Sequence, residues 1–370
     1  MMRRFAVCLL LCFLVYTNAV YAEISSMEAP VKNIIIMIGD GMGFQHVASA
    51  RLGAKQPLVM DTALVKGSLA THTIDGCVTD SGAGGTALAA GFKTAHYHIG
   101  VDPDGNNLYL ISEAARDVGK AVGIVTNARL TDATPAAFSA HVPHRDLEDQ
   151  IAVAQMRSGF DLFLGGGAEQ YYSHCESLGL RPIDVAVENG FQIAADKMEL
   201  DKADRLPLLG LFARKDMTAE RYRRLLTKEP SLAQMTEKAL ELLSQREAGF
   251  FLMVEGALID KRSHINERSS IPLEVAAFDN AVAVCVDFAE KHPGTLVIVT
   301  ADHETGGLTI LDDGQIRFTS IGHTNAQVPL FVFGDGADAF ADASDNTDVV
   351  RAAFQLGRMV FPDQPSASSF

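Results

Sequence analysis

The chain has 370 residues, 48% of them apolar and 21% charged, with 31 basic against 46 acidic side chains and a net charge of −15. That balance supports a sizeable core and excludes a disordered chain, and the length fits one large domain or two ordinary ones. The acidity excludes the broad basic surface that a general nucleic-acid or anionic-membrane binder needs.

Residues 1–22 read as a secretory signal peptide. Arg3 and Arg4 open it, residues 5–15 form an apolar run too short to span a bilayer, and Val20-Tyr21-Ala22 places small residues before cleavage at Glu23. Its removal takes two arginines and no acid, which brings the net charge from −15 to −17. The mature protein is expected to be soluble and exported, periplasmic or secreted, with no stable membrane anchor. Cys77, Cys175 and Cys285 remain after cleavage, without a CxxC spacing, so at most one internal disulfide is possible.

Buried parallel strands are expected at 33–38, 121–126, 160–164, 250–254, 296–300 and 330–333, short runs of β-branched and other large apolar residues. Helical patterns lie between them at 108–118, 146–157, 231–244 and 271–291. In the last, Val275, Phe278, Val282, Cys285 and Ala289 recur at three- and four-residue steps, and Pro293-Gly294 follows. Strands alternating with helices predict an α/β layered fold. The stretch 165–230, Gly-rich at its start and charge-rich later, reads as a surface excursion of the single domain 23–361, and 362–370 as a flexible tail.

Polar residues gather just beyond the strands. Run 33–38 leads into Gly39-Asp40-Gly41-Met42-Gly43, run 250–254 into Glu255, then Asp260 and His264, and run 296–300 into Asp302-His303-Glu304, while His323 shortly precedes 330–333. Ligands of open α/β sheets bind at the carboxyl ends of strands. Several carboxylates brought together there repel one another, and divalent cations resolve the conflict. A mixed histidine–carboxylate set suits Zn2+, and a set of oxygens alone suits Mg2+. Asp260 and His264 stand at i and i+4, so on a helix they share a face. Ser81 opens the small-residue segment 81–90, where it acts either as an N-cap or as a nucleophile at a helix N-terminus that favours anions. The G-x-S-x-G elbow is absent, and a serine beside metals needs no histidine base.

These residues sit in IGDGMG, TDSGAGGTALAAG, TDATPAAFSAHVPHR, VEGALIDKRSHIN, TADHETGG and GHT, which in order and spacing over 32–333 resemble the alkaline phosphatase family. The resemblance implies a three-layer α/β/α sandwich around a large, mostly parallel sheet. It also implies hydrolysis of small-molecule phosphate monoesters through a phosphoserine, at two zinc ions and one magnesium, in a homodimer. Carried across, Ser81 is the nucleophile and Arg145 the phosphate clamp. Asp40, Asp302 and His303 hold one zinc; Asp260, His264 and His323 hold the other. Asp40, Thr134 and Glu255 hold magnesium, with Asp132 acting through its water shell. Lys261 occupies a position where some members carry a basic side chain near phosphate. The resemblance leaves zinc against cobalt or manganese open. Gly82 and Gly84 stand where relatives often have alanine, which predicts a more flexible segment after Ser81.

Overall fold

Six-residue apolar runs cannot bury both faces alone, so they assemble into one sheet covered by helices on either side. The structure is a computed structural model that describes residues 31–361 apart from residue 55. The signal segment 1–22 and the tail 362–370 lie outside the described residues. Thirteen strands run in chain order: β1 (Asn33–Ile38), β2 (Val65–Leu69), β3 (Ala121–Arg129), β4 (Leu162–Gly166), β5 (Gln192–Ala194), β6 (Leu208–Leu211), β7 (Phe250–Glu255), β8 (Thr295–Thr300), β9 (Glu304–Thr305), β10 (Thr309–Ile310), β11 (Ile316–Arg317), β12 (His323–Thr324) and β13 (Val328–Gly334).

Nine of them form a sheet in the order β2-β13-β8-β1-β7-β3-β4-β6-β5. β1 lies beside the central strand β7, parallel to β7 and β8, with every residue buried. Two helical groups flank the sheet. Helix Ile271–Lys291 packs with Leu232–Leu243 and Phe44–Gly53, and helix Ser81–Ala90 packs with Ala133–Ala137 and Asn346–Leu356. The layered, mostly parallel α/β architecture expected from the sequence is therefore present.

Two expectations change. The run at 330–333 belongs to β13, which is antiparallel to both β8 and β2. A parallel return needs a crossover of a dozen or more residues, usually a helix, and 301–327 carries only the short strands β9–β12. The stretch 165–230 is also more than a surface excursion: β6 and β5 within it extend the sheet in parallel beyond β4. Their sequences, LLGL and QIA, are too short to show a strand period. Cys77, Cys175 and Cys285 are all free thiols, Cys175 and Cys285 buried. Among the described residues no helix is long and apolar enough to cross a membrane.

Candidate active site

β1, β7 and β8 run side by side with matched register, Ile38 opposite both Glu255 and Thr300. The three chains therefore leave the sheet at one level and deliver Asp40, Glu255 and Asp302-His303 to one place. Helix Leu258–His264 follows β7 and carries Asp260 and His264 on one face, with His264 Nε2 3.2 Å from Asp260 Oδ1. β12 adds His323, whose Nε2 lies 3.1 Å from His264 Nε2 and 3.6 Å from Asp260 Oδ1. His303 Nε2 stands 3.5 Å from Asp40 Oδ1 and 3.3 Å from Asp302 Oδ2.

Each histidine is fixed through its other ring nitrogen. Nδ1 of His264 faces the Ile321 carbonyl at 2.5 Å, Nδ1 of His323 the Thr79 carbonyl at 2.9 Å, and Nδ1 of His303 the Thr305 hydroxyl at 3.2 Å. A carbonyl only accepts, so Nδ1 of His264 and His323 carries a proton and Nε2 of each turns toward the other and toward Asp260. Facing each other at 3.1 Å, the two Nε2 atoms need a proton or a cation between them.

Burial pushes the Asp40 carboxyl well above its ordinary range, aided by the charges of Asp302, Asp260, Glu255 and Asp132. Burial, then Asp132, lifts Glu255 to about 8, and burial, then Asp260, lifts Asp302 to about 7. Burial likewise holds His303 well below its usual value. At Asp260 burial opposes ionisation, but the His264 hydrogen bond and the histidine charges outweigh it and keep the carboxyl low. Asp40 Oδ1, Thr134 Oγ1, Glu255 Oε1 and Asp302 Oδ2 are buried without a hydrogen-bond partner. Orphaned oxygens of this kind are rare, and the three on Asp40, Glu255 and Asp302, whose charges act on one another, match a cation site. The side-chain ligand atoms of Asp260, His264 and His323 lie within 4.8 Å of one another, as do those of Asp40, Asp260 and His303. Asp260 thus joins both histidine groups. The donor chemistry fits the expected ions: nitrogen and carboxylate oxygen on one side, oxygens alone at Glu255 and Thr134.

Ser81 is the first residue of helix Ser81–Ala90, not its cap. Asp80 is the N-cap and accepts from the Gly82 and Ala83 amides, which leaves Ser81 Oγ free to face His303 Nε2 at 3.2 Å. The flexibility expected of Gly82 and Gly84 gives way to close packing. A β-carbon on Gly84 would come within 2.9 Å of the Asp302 carbonyl oxygen, and one on Gly82 within 3.0 Å of the His98 carbonyl oxygen. Arg145 donates to Asp80 at 3.0 Å and to Asp132 at 3.2 Å, so two carboxylates aim its guanidinium. A cavity of about 400 Å3 opens over Ser81, lined among others by Asp80, Arg145, Asp260, His264 and His323. A larger one, about 700 Å3, lies between Asp196 and Gln234 and contains none of the expected site residues.

Asp132 and Lys261 are placed differently from the rest. Lys261 Nζ donates to Asp132 at 2.6 Å and approaches Asp216 at 3.4 Å, and it is not among the residues lining the cavity. Burial opposes ionisation of Asp132, but Lys261, Arg129 and Arg145 override it and hold the carboxyl far below its usual range. Sequence reasoning missed Asp80, Thr305 and Thr79. Asp80 alone left a readable signal, an Asp at the junction between extended chain and a helical run; Thr305 and the Thr79 carbonyl act through tertiary contacts.

A family profile described as alkaline phosphatase matches residues 31–318, ending five residues before His323. Alkaline phosphatase 4 of Bacillus subtilis is 37% identical over 78% of this chain, but the match spans only 64% of that protein's length. Streptomycin-6-phosphate phosphatase of Streptomyces griseus is 34% identical over 88% of this chain and 90% of its own. Among solved structures, the alkaline phosphatase of the Antarctic bacterium TAB5 superposes with a TM-score of 0.82 at 29% identity, covering 90% of this chain and 99% of that one. The Thermus thermophilus alkaline phosphatase also reaches 0.82, covering 89% and 92%, and at 24% identity it speaks to the fold alone. With the profile covering most of the length, and with all of the strand-end cluster except His323 in the part it covers, the chain belongs to the alkaline phosphatase family.

Proposed function

We propose that the protein is an exported phosphomonoesterase that hydrolyses small-molecule phosphate esters through a phosphoserine at Ser81. The observation that carries this reading is the placing of Ser81 Oγ. It lies at a helix N-terminus, beside His303 Nε2, which itself stands within 3.5 Å of the partnerless oxygens of Asp40 and Asp302.

Asp40, Asp302 and His303 would hold one zinc ion, and Asp260, His264 and His323 the other. Asp40, Thr134 and Glu255 would hold magnesium; Asp132, already engaged by Lys261 and Arg145, would act through water. A variant of the TAB5 enzyme carries Mg in its M3 site, which supports a magnesium position in this family. When bound, the ions supply positive charge at the reacting oxygens and lower the pKa of the hydroxyl groups they touch. Ser81 Oγ gives up its proton and bonds to phosphorus as the bond to the leaving alkoxide breaks, and the alkoxide takes up a proton to depart as the alcohol. Water then attacks the phosphoserine, frees Ser81 and releases inorganic phosphate. Arg145, aimed by Asp80 and Asp132, grips two non-ester phosphate oxygens. A monoester offers three such oxygens and a second negative charge, where a diester keeps two oxygens and a single charge, so a cationic clamp favours monoesters. Lys261 acts on substrate through Asp132. The segment 1–22 supports a periplasmic or secreted location, and the family resemblance supports a homodimer.

Metal removal is the test. Chelation is expected to abolish turnover of p-nitrophenyl phosphate, and zinc with magnesium together to restore it. Restoration by cobalt or manganese alone would overturn the zinc assignment, and full activity after chelation would overturn the metal site.

A further inference from the structure

Tyr97 is a bulky residue held at φ 68, in the left-handed region that glycine or asparagine enters at much lower cost. Strain of this kind persists only where the surroundings enforce it. Here they do. The Tyr97 amide donates to Asp80 Oδ1 at 3.0 Å, and its carbonyl accepts from the Arg145 amide at 2.8 Å. Gly82 leaves room for this turn, since a β-carbon there would lie 3.3 Å from the Tyr97 carbonyl carbon. The backbone at Tyr97 therefore couples the cap of the nucleophile's helix to the phosphate clamp. Any residue able to adopt this conformation supplies those two bonds, glycine most easily, so they leave the tyrosine ring unexplained.

The ring does not serve the core. It is 47% exposed and borders the mouth of the cavity over Ser81. His144 packs against it with ring centres 5.1 Å apart and planes 30° from parallel, and His96 meets it edge-on at 5.7 Å. His96 is itself tied at 2.5 Å to the Val78 carbonyl, three residues before Ser81. The ring is thus braced on two sides, with Arg145 bonded to its own backbone, at the opening through which an ester's leaving group must project.

We propose that Tyr97 forms a leaving-group subsite, selecting phosphate monoesters whose leaving group carries a flat aromatic ring. This rests on the phosphatase reading and adds the substrate class to it. A braced aromatic ring offers a stacking surface at little entropic cost, and such stacking is sequence- and substituent-tolerant because every flat ring has a π-face.

The test compares the metal-loaded protein with Tyr97→Gly, which suits the backbone, and Tyr97→Phe, which keeps the ring. The readout is the ratio of kcat/KM for phenyl phosphate to that for glycerol 2-phosphate. Taking this ratio between proteins cancels the different reactivity of the two esters. The Gly variant is expected to lower it about five- to tenfold, chiefly through KM, and the Phe variant to keep it. An unchanged ratio in Tyr97→Gly, or an equal loss on both esters, would overturn the subsite. Calorimetric binding of phenylphosphonate against methylphosphonate to the same proteins needs no turnover. A wild-type preference for the phenyl compound that Tyr97→Gly abolishes supports the subsite even if no ester is hydrolysed, which would sink the phosphatase reading alone. Equal binding of the two compounds by wild type would reject the subsite.

Discussion

At the scale of single residues, the site is a set of side chains fixed by their neighbours before any substrate arrives. Asp80 does two jobs, capping the helix of Ser81 and aiming Arg145, and burial would raise its carboxyl were it not for the Tyr97 amide and Arg145, which hold it low. Arg145 stays charged at every physiological pH because Asp132 and Asp80 outweigh its burial. Replacing Arg145 with alanine is therefore expected to raise KM for p-nitrophenyl phosphate and weaken inhibition by inorganic phosphate, by roughly ten- to a hundredfold for a charge-assisted pair of about 1.5–3 kcal/mol. Steady-state kinetics checks this, and no change in either constant would remove Arg145 from the clamp. The carboxylates and imidazoles were legible only as a group, recurring after several apolar strands, whereas Asp132, Thr134, Arg145 and Lys261 were expected from the family resemblance alone. Tyr97 and Thr305 were legible in neither way, because a left-handed tyrosine and a hydroxyl bridging Asp260 to His303 leave no periodic or compositional mark.

At the scale of elements, what the sequence revealed depended on length and period. β1 and the helix Ile271–Lys291 match their expected bounds, because six buried positions, four of them isoleucine, and a 21-residue amphipathic run are strong patterns. β2, β5 and β6 escaped, being edge or near-edge strands of three to five residues with little or no β-branching in β5 and β6. The long helix also holds a group that no pattern exposed. Glu274 is buried at its first turn, accepts from the Glu220 amide at 2.9 Å and leaves Oε2 without a partner. Burial raises its carboxyl to about 7. In the unfolded chain it ionises near its ordinary value of 4.5, so the folded state keeps its proton longer. Stability from this group is complete below about 4.5 and is lost as pH rises through about 7. Glu274→Gln keeps the acceptor and removes the titration. It is expected to be more stable than wild type above pH 7, by on the order of 3 kcal/mol, with the gap closing toward acid pH. Denaturant unfolding measured across that range checks it, and a gap independent of pH would contradict the assignment.

At the scale of the whole molecule, the net charge of −15 excludes a basic docking surface but not an anionic substrate. The acids divide into two populations. Asp40, Glu255, Asp260 and Asp302 converge at the ends of the central strands, where three divalent cations would add six positive charges, and most of the others are spread over the surface. On the proposed reading, a compact cationic centre of metals and Arg145 would bind phosphate without a positive protein around it. The layered fold was legible from strand–helix alternation, whereas the antiparallel turn of β13 and the two strands beyond β4 depended on connections that only the assembled chain defines. The central claim is the covalent role of Ser81. The most direct test mixes the metal-loaded protein with a phosphate monoester, quenches it in acid and maps its peptides by mass spectrometry. The account predicts one phosphoryl group on the peptide containing Ser81, absent in Ser81→Ala, which also loses turnover. An unmodified Ser81 in the wild-type protein, together with near-full activity in Ser81→Ala, would contradict it.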